Sequence, residues 1–322
     1  MKFKKNHFIF NCIAALAFNS AALANNYPSS PIRLIVPWPA GGSADAVGRL
    51  LGEQLGKQLD TTVIVENIAG ASATIGTQQV AKAKPDGYTL LLASSSGNAS
   101  APNLYKKINF DPIKDFSPIG LVALIPSILI VSNDSTFKSP EDIVAAAQKK
   151  PGALAFGSGG IGNSGHLSGE LFASIANFKA NHIPYKGNNP ALTDLIGGRL
   201  DFMFDNGAIP HIKSKRVKAL GIASNSRIQA LSDLPTLEEL GYQNMILSTW
   251  FGLAAPTQTP DDIIQKVNLA LNKSLQESAF AQRLIDMGAE LRTTNPQEFS
   301  IFWQSELLSY KKLIENSGAQ AQ

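Results

Sequence analysis

Cysteine is all but missing from this chain: Cys12 is the single one in 322 residues. It lies in an N-terminal stretch that reads as a secretory leader. Lys2, Lys4 and Lys5 form a basic start, Phe8 to Phe18 an apolar run, and Ala22-Leu23-Ala24 a small-residue end after which cleavage is expected. The residues before Cys12 (Ile9, Phe10, Asn11) are not the small ones that precede a lipidated cysteine. A chain cut after Ala24 has no thiol, which excludes disulfides, cysteine nucleophiles and cysteine-ligated metals. Long apolar runs are lacking too. The leader's run falls short of the ~20 residues needed to span a bilayer, and no later segment reaches that length.

An excess of one charge is also absent. The whole chain carries 28 Lys and Arg against 25 Asp and Glu. Three of those cations sit in the leader, so the processed chain is expected to be close to neutral, without the basic stripe of a nucleic-acid binder. His166, His182 and His211 follow the leader without metal-ligand spacing. No metal and no cofactor are expected.

What is present is alternation. Short β-branched or leucine-rich runs at Ile32–Val36, Thr62–Val65, Thr89–Ala93, Ile128–Val131, Leu154–Phe156, Ala180–Pro184, Leu200–Phe204, Val217–Ala223 and Trp250–Ala254 are separated by amphipathic stretches. This predicts an α/β fold with helices packed on mainly parallel sheets. Ser139-Pro140-Glu141-Asp142, Thr259-Pro260-Asp261-Asp262 and Asn295-Pro296-Gln297-Glu298 each read as a cap, a proline at the first helical position and first-turn acids or amides. The adjacent carboxylates Asp261 and Asp262 are therefore assigned to a helix start. After Ala254 the pattern is helical nearly to the end, and the Gly/Ala/Gln-rich tail after Ser317 is expected to be disordered.

Three strand ends run into loops rich in glycine and small hydroxyl residues: Pro37 to Asp45 (PWPAGGSAD), Ser94 to Asn98 (SSSGN) and Gly157 to His166 (GSGGIGNSGH). Such loops bring backbone N–H groups close to a ligand, and a helix N-terminus behind them favours an anion. In open α/β sheets ligands sit beyond the carboxyl ends of the strands, where these loops lie. Gly157, Gly159 and Gly162 form a G-x-G-x-x-G, but Lys179 to Pro184 supplies no acid for a ribose, so a dinucleotide site is not expected. Ser164 with His166, or a serine of Ser94 to Ser96, offers an alternative as a hydrolase. No G-x-S-x-G elbow supports it, and residues two apart at a helix start face different ways.

The segments YPSSPIRLIVPWPAGGSAD, KPDGYTLLLAS, PGALAFGSGGIGNSGHLSGELF, HIPYKGNNPALTDLIGGRLDFMFD and WFGLAAPTQTP, in this order along almost the whole chain, resemble the Bug family of extracytoplasmic solute receptors. These are the TctC-like binding subunits of tripartite tricarboxylate transporters. The resemblance implies a two-domain type II periplasmic-binding-protein fold crossed by two hinge strands. It implies residues 25–125 plus 249–322 in one domain and 126–248 in the other. It further implies a periplasmic, monomeric, non-enzymatic receptor for a small carboxylate (a di- or tricarboxylate, an amino acid or an aromatic acid). Such a receptor works with membrane permease subunits or, alternatively, presents its ligand to a sensor protein.

Carried over residue by residue, the resemblance places Pro37, Trp38, Pro39, Gly41, Gly42, Ser43 and Asp45 on one side of the ligand. Ser158, Gly160, Gly162, Ser164 and His166 lie on the other, with bridging waters between. Ser94, Ser96 and Asn98, on the second loop, join the candidate set, as do Tyr185 and Lys186 of the family's PYKG and Asp205, which ends FMFD. Alternatives stand for four of these. Asp205 also suits a helix cap, Lys186 a plain surface position, Trp38 a lobe core, and Asp45 a tie within its own loop. After VEN the family continues with a basic residue, proline and GAGG. Here Ile68, Ala69, Gly70, Ala71, Ser72 and Ala73 follow, so the resemblance does not fix this loop or the far end of the cleft.

Overall fold

The computed structural model describes residues 27–317. The leader expected over 1–24 and the tail after Ser317 lie outside the described residues. Ten strands are found among those described: β1 (Ile32–Val36), β2 (Val63–Asn67), β3 (Thr89–Ser94), β4 (Phe116–Pro126), β5 (Ile128–Ser132), β6 (Ala155–Ser158), β7 (Asn181–Pro184), β8 (Phe202–Asp205), β9 (Val217–Ile222) and β10 (Ser248–Pro256). They form two five-stranded sheets, ordered β2-β1-β3-β10-β4 and β7-β6-β8-β5-β9. Each sheet is parallel at one end, where helices connect its strands: β1 with β2 and β3, and β6 with β7 and β8. The strand that enters from the other lobe, β10 in the first sheet and β5 in the second, runs antiparallel to both neighbours.

The chain crosses between lobes with almost no slack. β4 passes into β5 through Ser127 alone. The Ser127 N–H donates to the Leu247 carbonyl (3.1 Å), the Ala223 N–H to that of Ser127 (2.9 Å), and the Leu247 N–H to that of Ala223 (3.0 Å). Three segments are thus tied by backbone bonds where a hinge would turn.

Helices α1 (Ser43–Leu59), α2 (Thr74–Ala81), α3 (Ala101–Leu104), α4 (Pro140–Lys149), α5 (Ser164–Ile175), α6 (Asn188–Ile196), α7 (Ile209–Lys213), α8 (Asp261–Gln276), α9 (Ser278–Asp286) and α10 (Pro296–Ser317) cover the sheets. In α1 the apolar positions Val47, Leu51 and Leu55 recur at helical spacing and are fully buried with Leu34, Leu90 and Leu253 of the sheet. The other face of that sheet packs Ile35, Leu91 and Trp250 against Phe299 and Trp303 of α10. Phe156, Phe202 and Phe204 of the second sheet meet Phe172 of α5, and each such ring contributes roughly 1.5–3 kcal/mol by leaving water. Leu167 of α5 is buried in the first lobe's cluster, and α5 packs on α10, so this helix belongs to one lobe and packs on both.

Two of the three expected helix starts close as capping boxes. The Asp142 amide donates to Ser139 Oγ with the reverse bond present, and Glu298 and Asn295 exchange bonds of 2.9 and 2.8 Å. The third differs: Thr259 turns its hydroxyl back to the Pro256 carbonyl (2.7 Å), and α8 begins without a side-chain cap. Sequence patterning also passes over β4. Pro118, Gly120 and Pro126 interrupt its apolar run, but these residues sit in an edge strand where a missing N–H is tolerated.

Candidate functional site

The carboxyl ends of β1, β3, β6, β7 and β8 open onto the space between the lobes. There a cavity of about 170 Å³ is walled on one side by Trp38, Pro39, Gly42, Ser43, Ser94 and Ser96. The opposite wall is Asn163, Ser164, Lys186, Asn188, Asn189 and Asn206, and Thr249 and Phe251 of β10 form the floor. The Ser43 hydroxyl donates to Asn206 Oδ1 (3.1 Å), Asn189 Nδ2 to the Gly41 carbonyl (3.2 Å) and the Ser72 hydroxyl to the Ile161 carbonyl (2.7 Å). All three bonds join one lobe to the other, so the lobes stand closed on each other.

Three helices begin at this cavity. α1 starts after Gly42 and α6 after Gly187, and neither has a side-chain cap. α5 starts after Asn163, whose Oδ1 accepts from the His166 amide (2.9 Å). Uncapped first-turn amides carry the positive end of the helix dipole, equivalent to about half a charge per helix. Among the described residues, Lys186 is the single charged side chain lining the cavity. Thr249 is buried, and its hydroxyl has no protein partner. Taken together, the walls offer donors and no negative charge, the chemistry of an anion site.

Of the residues expected from sequence, Trp38, Pro39, Gly42, Ser43, Ser94, Ser96, Ser164 and Lys186 line this cavity. Gly160 and Tyr185 line a second cavity of about 620 Å³, on the far side of Trp38 and Pro39. Pro37, Gly41, Asp45, Asn98, Ser158, Gly162, His166 and Asp205 line neither, and stand behind the walls. Pro37 packs on Gly76 of α2. Asp45 accepts from the Gly41 amide (2.9 Å) and from Arg49 (3.1 Å). Burial would raise its carboxyl, but these bonds, with Asn67, hold it below the usual range. Asn98 Oδ1 accepts the Ser94 amide (3.1 Å). Asp205 accepts from Asn188 Nδ2 and from the Gly207 amide (3.1 Å), and burial pushes its carboxyl up. Trp38 does two things: it walls both cavities and packs on the first lobe's core.

His166 and His182 stack with ring centroids 3.8 Å apart. His166 Nδ1 accepts the Gly162 amide (2.9 Å), and His182 Nε2 is 2.7 Å from Ser158 Oγ. Burial drives His166 down to about 4; burial, then the neighbouring imidazole, drives His182 to about 3. Both rings are therefore neutral props of the glycine loop. Ser158 and His182 form a serine–histidine contact, but neither lines the small cavity and the second imidazole, rather than an acid, backs the ring. Among the described residues no base bonds Ser164, and Ser94 Oγ already takes the Trp38 indole N–H (3.3 Å).

Sequence reasoning missed Asn163, Asn188, Asn189, Asn206, Thr249 and Phe251. Asn188-Asn189-Pro190 carried a legible helix-start signal just after the PYKG segment. Thr249 and Phe251 follow from strand alternation around Trp250, once β10 is known to border the cleft.

The family model described as the tripartite tricarboxylate transporter family receptor matches residues 47–319. Protein BugT of Bordetella pertussis is 34% identical over 311 residues, covering 96% of this chain and 95% of that one. An R. palustris protein solved with adipate superposes with a TM-score of 0.88 at 29% identity, over 91% of this chain and 99% of that chain. MatC of Rhodopseudomonas palustris with bound malate does so at 0.83 and 29%, over 89% and 100%. The agreement runs through both lobes and the crossing between them, and with it the two-domain periplasmic-binding-protein architecture and the non-enzymatic character of these receptors: this chain belongs to the tripartite tricarboxylate transporter family of receptors.

Proposed function

We propose that this chain is an extracytoplasmic receptor that closes its two lobes around a small carboxylate and hands it to the membrane subunits of a transporter. The observation that carries the reading is the pair of uncapped helix starts, at Gly42 and Gly187, on one cavity free of acidic side chains. Charge-assisted hydrogen bonds contribute about 1.5–3 kcal/mol each, so three or four amides and hydroxyls account for micromolar binding, about 8 kcal/mol, after association costs. Adipate and malate in the two R. palustris structures support the same ligand class. The lobes divide at 25–125 plus 249–322 and 126–248, the leader is removed near Ala24, and the receptor acts as a monomer. Ligand presentation to a sensor protein uses the same closed cleft and remains the second reading of its physiological output.

Calorimetry against malate, adipate, aspartate and benzoate, each paired with its neutral amide, tests the proposal. Acids should bind with no product formed, and their amides should bind far more weakly. Equal affinity for acid and amide, or sustained turnover, would sink it.

A further inference from the structure

The larger cavity shares Trp38, Pro39, Lys186 and Gly187 with the smaller one, so the two adjoin across a single partition. Its other walls have a different chemistry. Ala69, Ala71, Ala73, Ile161 and Pro184 present apolar surface, and the polar tips of its two tyrosines are already engaged: Tyr105 with Ser72 (3.1 Å) and Tyr185 with Asp194 (2.6 Å).

A helix start also borders this cavity, that of α2 behind Ala73, but its first amides are taken. Thr74 N–H donates to the Ala71 carbonyl (3.1 Å) and Ile75 N–H to that of Gly70 (3.5 Å). Ala71, Ser72 and Ala73 hold φ of 45°, 51° and 74° to make those bonds, and Ser72 clasps Ile161 across the cleft. The loop that departs from the family's glycines is thus a fixed, apolar wall. Apart from Lys186 and the α6 start at Gly187, both on the rim shared with the small cavity, no cation and no open helix start lines it among the described residues for a second carboxylate.

We infer that the cleft takes an elongated acid whose carboxylate lies in the small cavity and whose apolar body, a chain or an aromatic ring, passes the Trp38–Pro39 partition into the large one. The inference rests on the carboxylate-receptor reading and narrows its ligand class from carboxylates at large to monocarboxylates with an apolar tail. Area removed from water along such a tail adds roughly fourfold in affinity per buried methylene.

The test is a calorimetric series on the full processed chain: propionate, butyrate, hexanoate and octanoate, with phenylacetate, against succinate and adipate as length-matched dicarboxylates. Affinity should climb about fourfold per methylene over the first members, and each monoacid should bind more tightly than the dicarboxylate of similar length. Ala69→Trp, at an exposed position of the large cavity's wall, should abolish the climb and leave propionate unchanged. Measurable but length-independent binding, or preference for the dicarboxylates, overturns this inference alone. Binding of no acid in either series overturns the receptor reading, and this inference with it.

Discussion

The glycine-rich loops at Pro37–Asp45 and Gly157–His166 look alike in sequence and face each other across one cleft, yet they treat their amides in opposite ways. In the first, Asp45 reaches back only to Gly41, and α1 starts at an uncapped Gly42. In the second, four backbone donors are used at home. Gly160 N–H goes to Ser158 Oγ (3.2 Å), Gly162 N–H to His166 Nδ1, Asn163 N–H to the Gly160 carbonyl (3.2 Å) and His166 N–H to Asn163 Oδ1. A Gly/Ser-rich composition therefore does not by itself make an anion cradle; what matters is whether a neighbouring side chain caps the amides first. On the second lobe that role passes to α6, whose start at Gly187 is uncapped.

The largest test supplies the first loop with the cap it lacks. Gly42 has extended backbone angles (φ −91°, ψ 177°), and a Cβ there would meet only the Pro39 carbonyl at 3.9 Å, so Gly42→Asp fits. Its carboxylate would cap α1 and interact with the helix dipole, raising stability by a few tenths to about 1 kcal/mol. The same carboxylate would occupy the amides proposed for the ligand. With two charge-assisted bonds of about 1.5–3 kcal/mol each lost, affinity for an acid should fall at least ~100-fold while the melting temperature rises. Affinity that survives alongside the higher melting temperature would remove α1 from the site.

A smaller effect is expected where the second loop acts through packing. Gly162 has φ +77°, and a Cβ would stand 2.1 Å from Leu104 Cδ1 on the opposite lobe. Gly162→Val strains the backbone in open and closed forms alike, which lowers stability. The clash with Leu104 arises only on closure, and overpacking of about 1–3 kcal/mol should weaken binding roughly 5- to 150-fold. Calorimetry with a thermal melt separates the two. Unchanged affinity in a folded variant would mean that the lobes bind without closing to this contact.

Much of this was legible before any coordinates. Strand periodicity and Gly/Pro punctuation located nine of the strands, and the rule that ligands sit at strand ends singled out loops whose Trp38, Ser43, Ser94 and Ser164 line one cavity. What stayed hidden depends on contacts between distant segments. β4 carries prolines that only an edge position excuses. Asn206 and Thr249 are ordinary polar residues until the lobes close and bring them to one cavity. The family resemblance makes His166 a ligand contact; in the fold it accepts from an amide four residues back and stacks on His182, brought over it because β7 lies beside β6.

Acid separates the two loops by the smallest but most selective effect. His166 and His182 are held at about 4 and about 3 in the folded protein, below the ~6.5 of an unperturbed imidazole. Between those values the unfolded chain binds protons that the folded one refuses, so stability is full above pH ~6.5 and drains away as pH falls toward 4. Glu170, 3.8 Å from His166 Nε2, offers little relief, because burial raises its own carboxyl. Asp45 behaves oppositely in range: its depressed carboxyl keeps its contribution until pH drops below the ordinary aspartate value near 3.9. In urea denaturation, His166→Gln should lose about 1 kcal/mol less stability than the parent between pH 7 and pH 5.5, since the buried Glu306, raised to about 7, acts in the opposite sense in both, and Asp45→Asn should leave the dependence unaltered. A His166→Gln variant that keeps the parent's pH dependence, or a dependence abolished by Asp45→Asn, would mean that the imidazole stack does not hold the second loop, and the contrast between an open and a self-capped loop would lose its support.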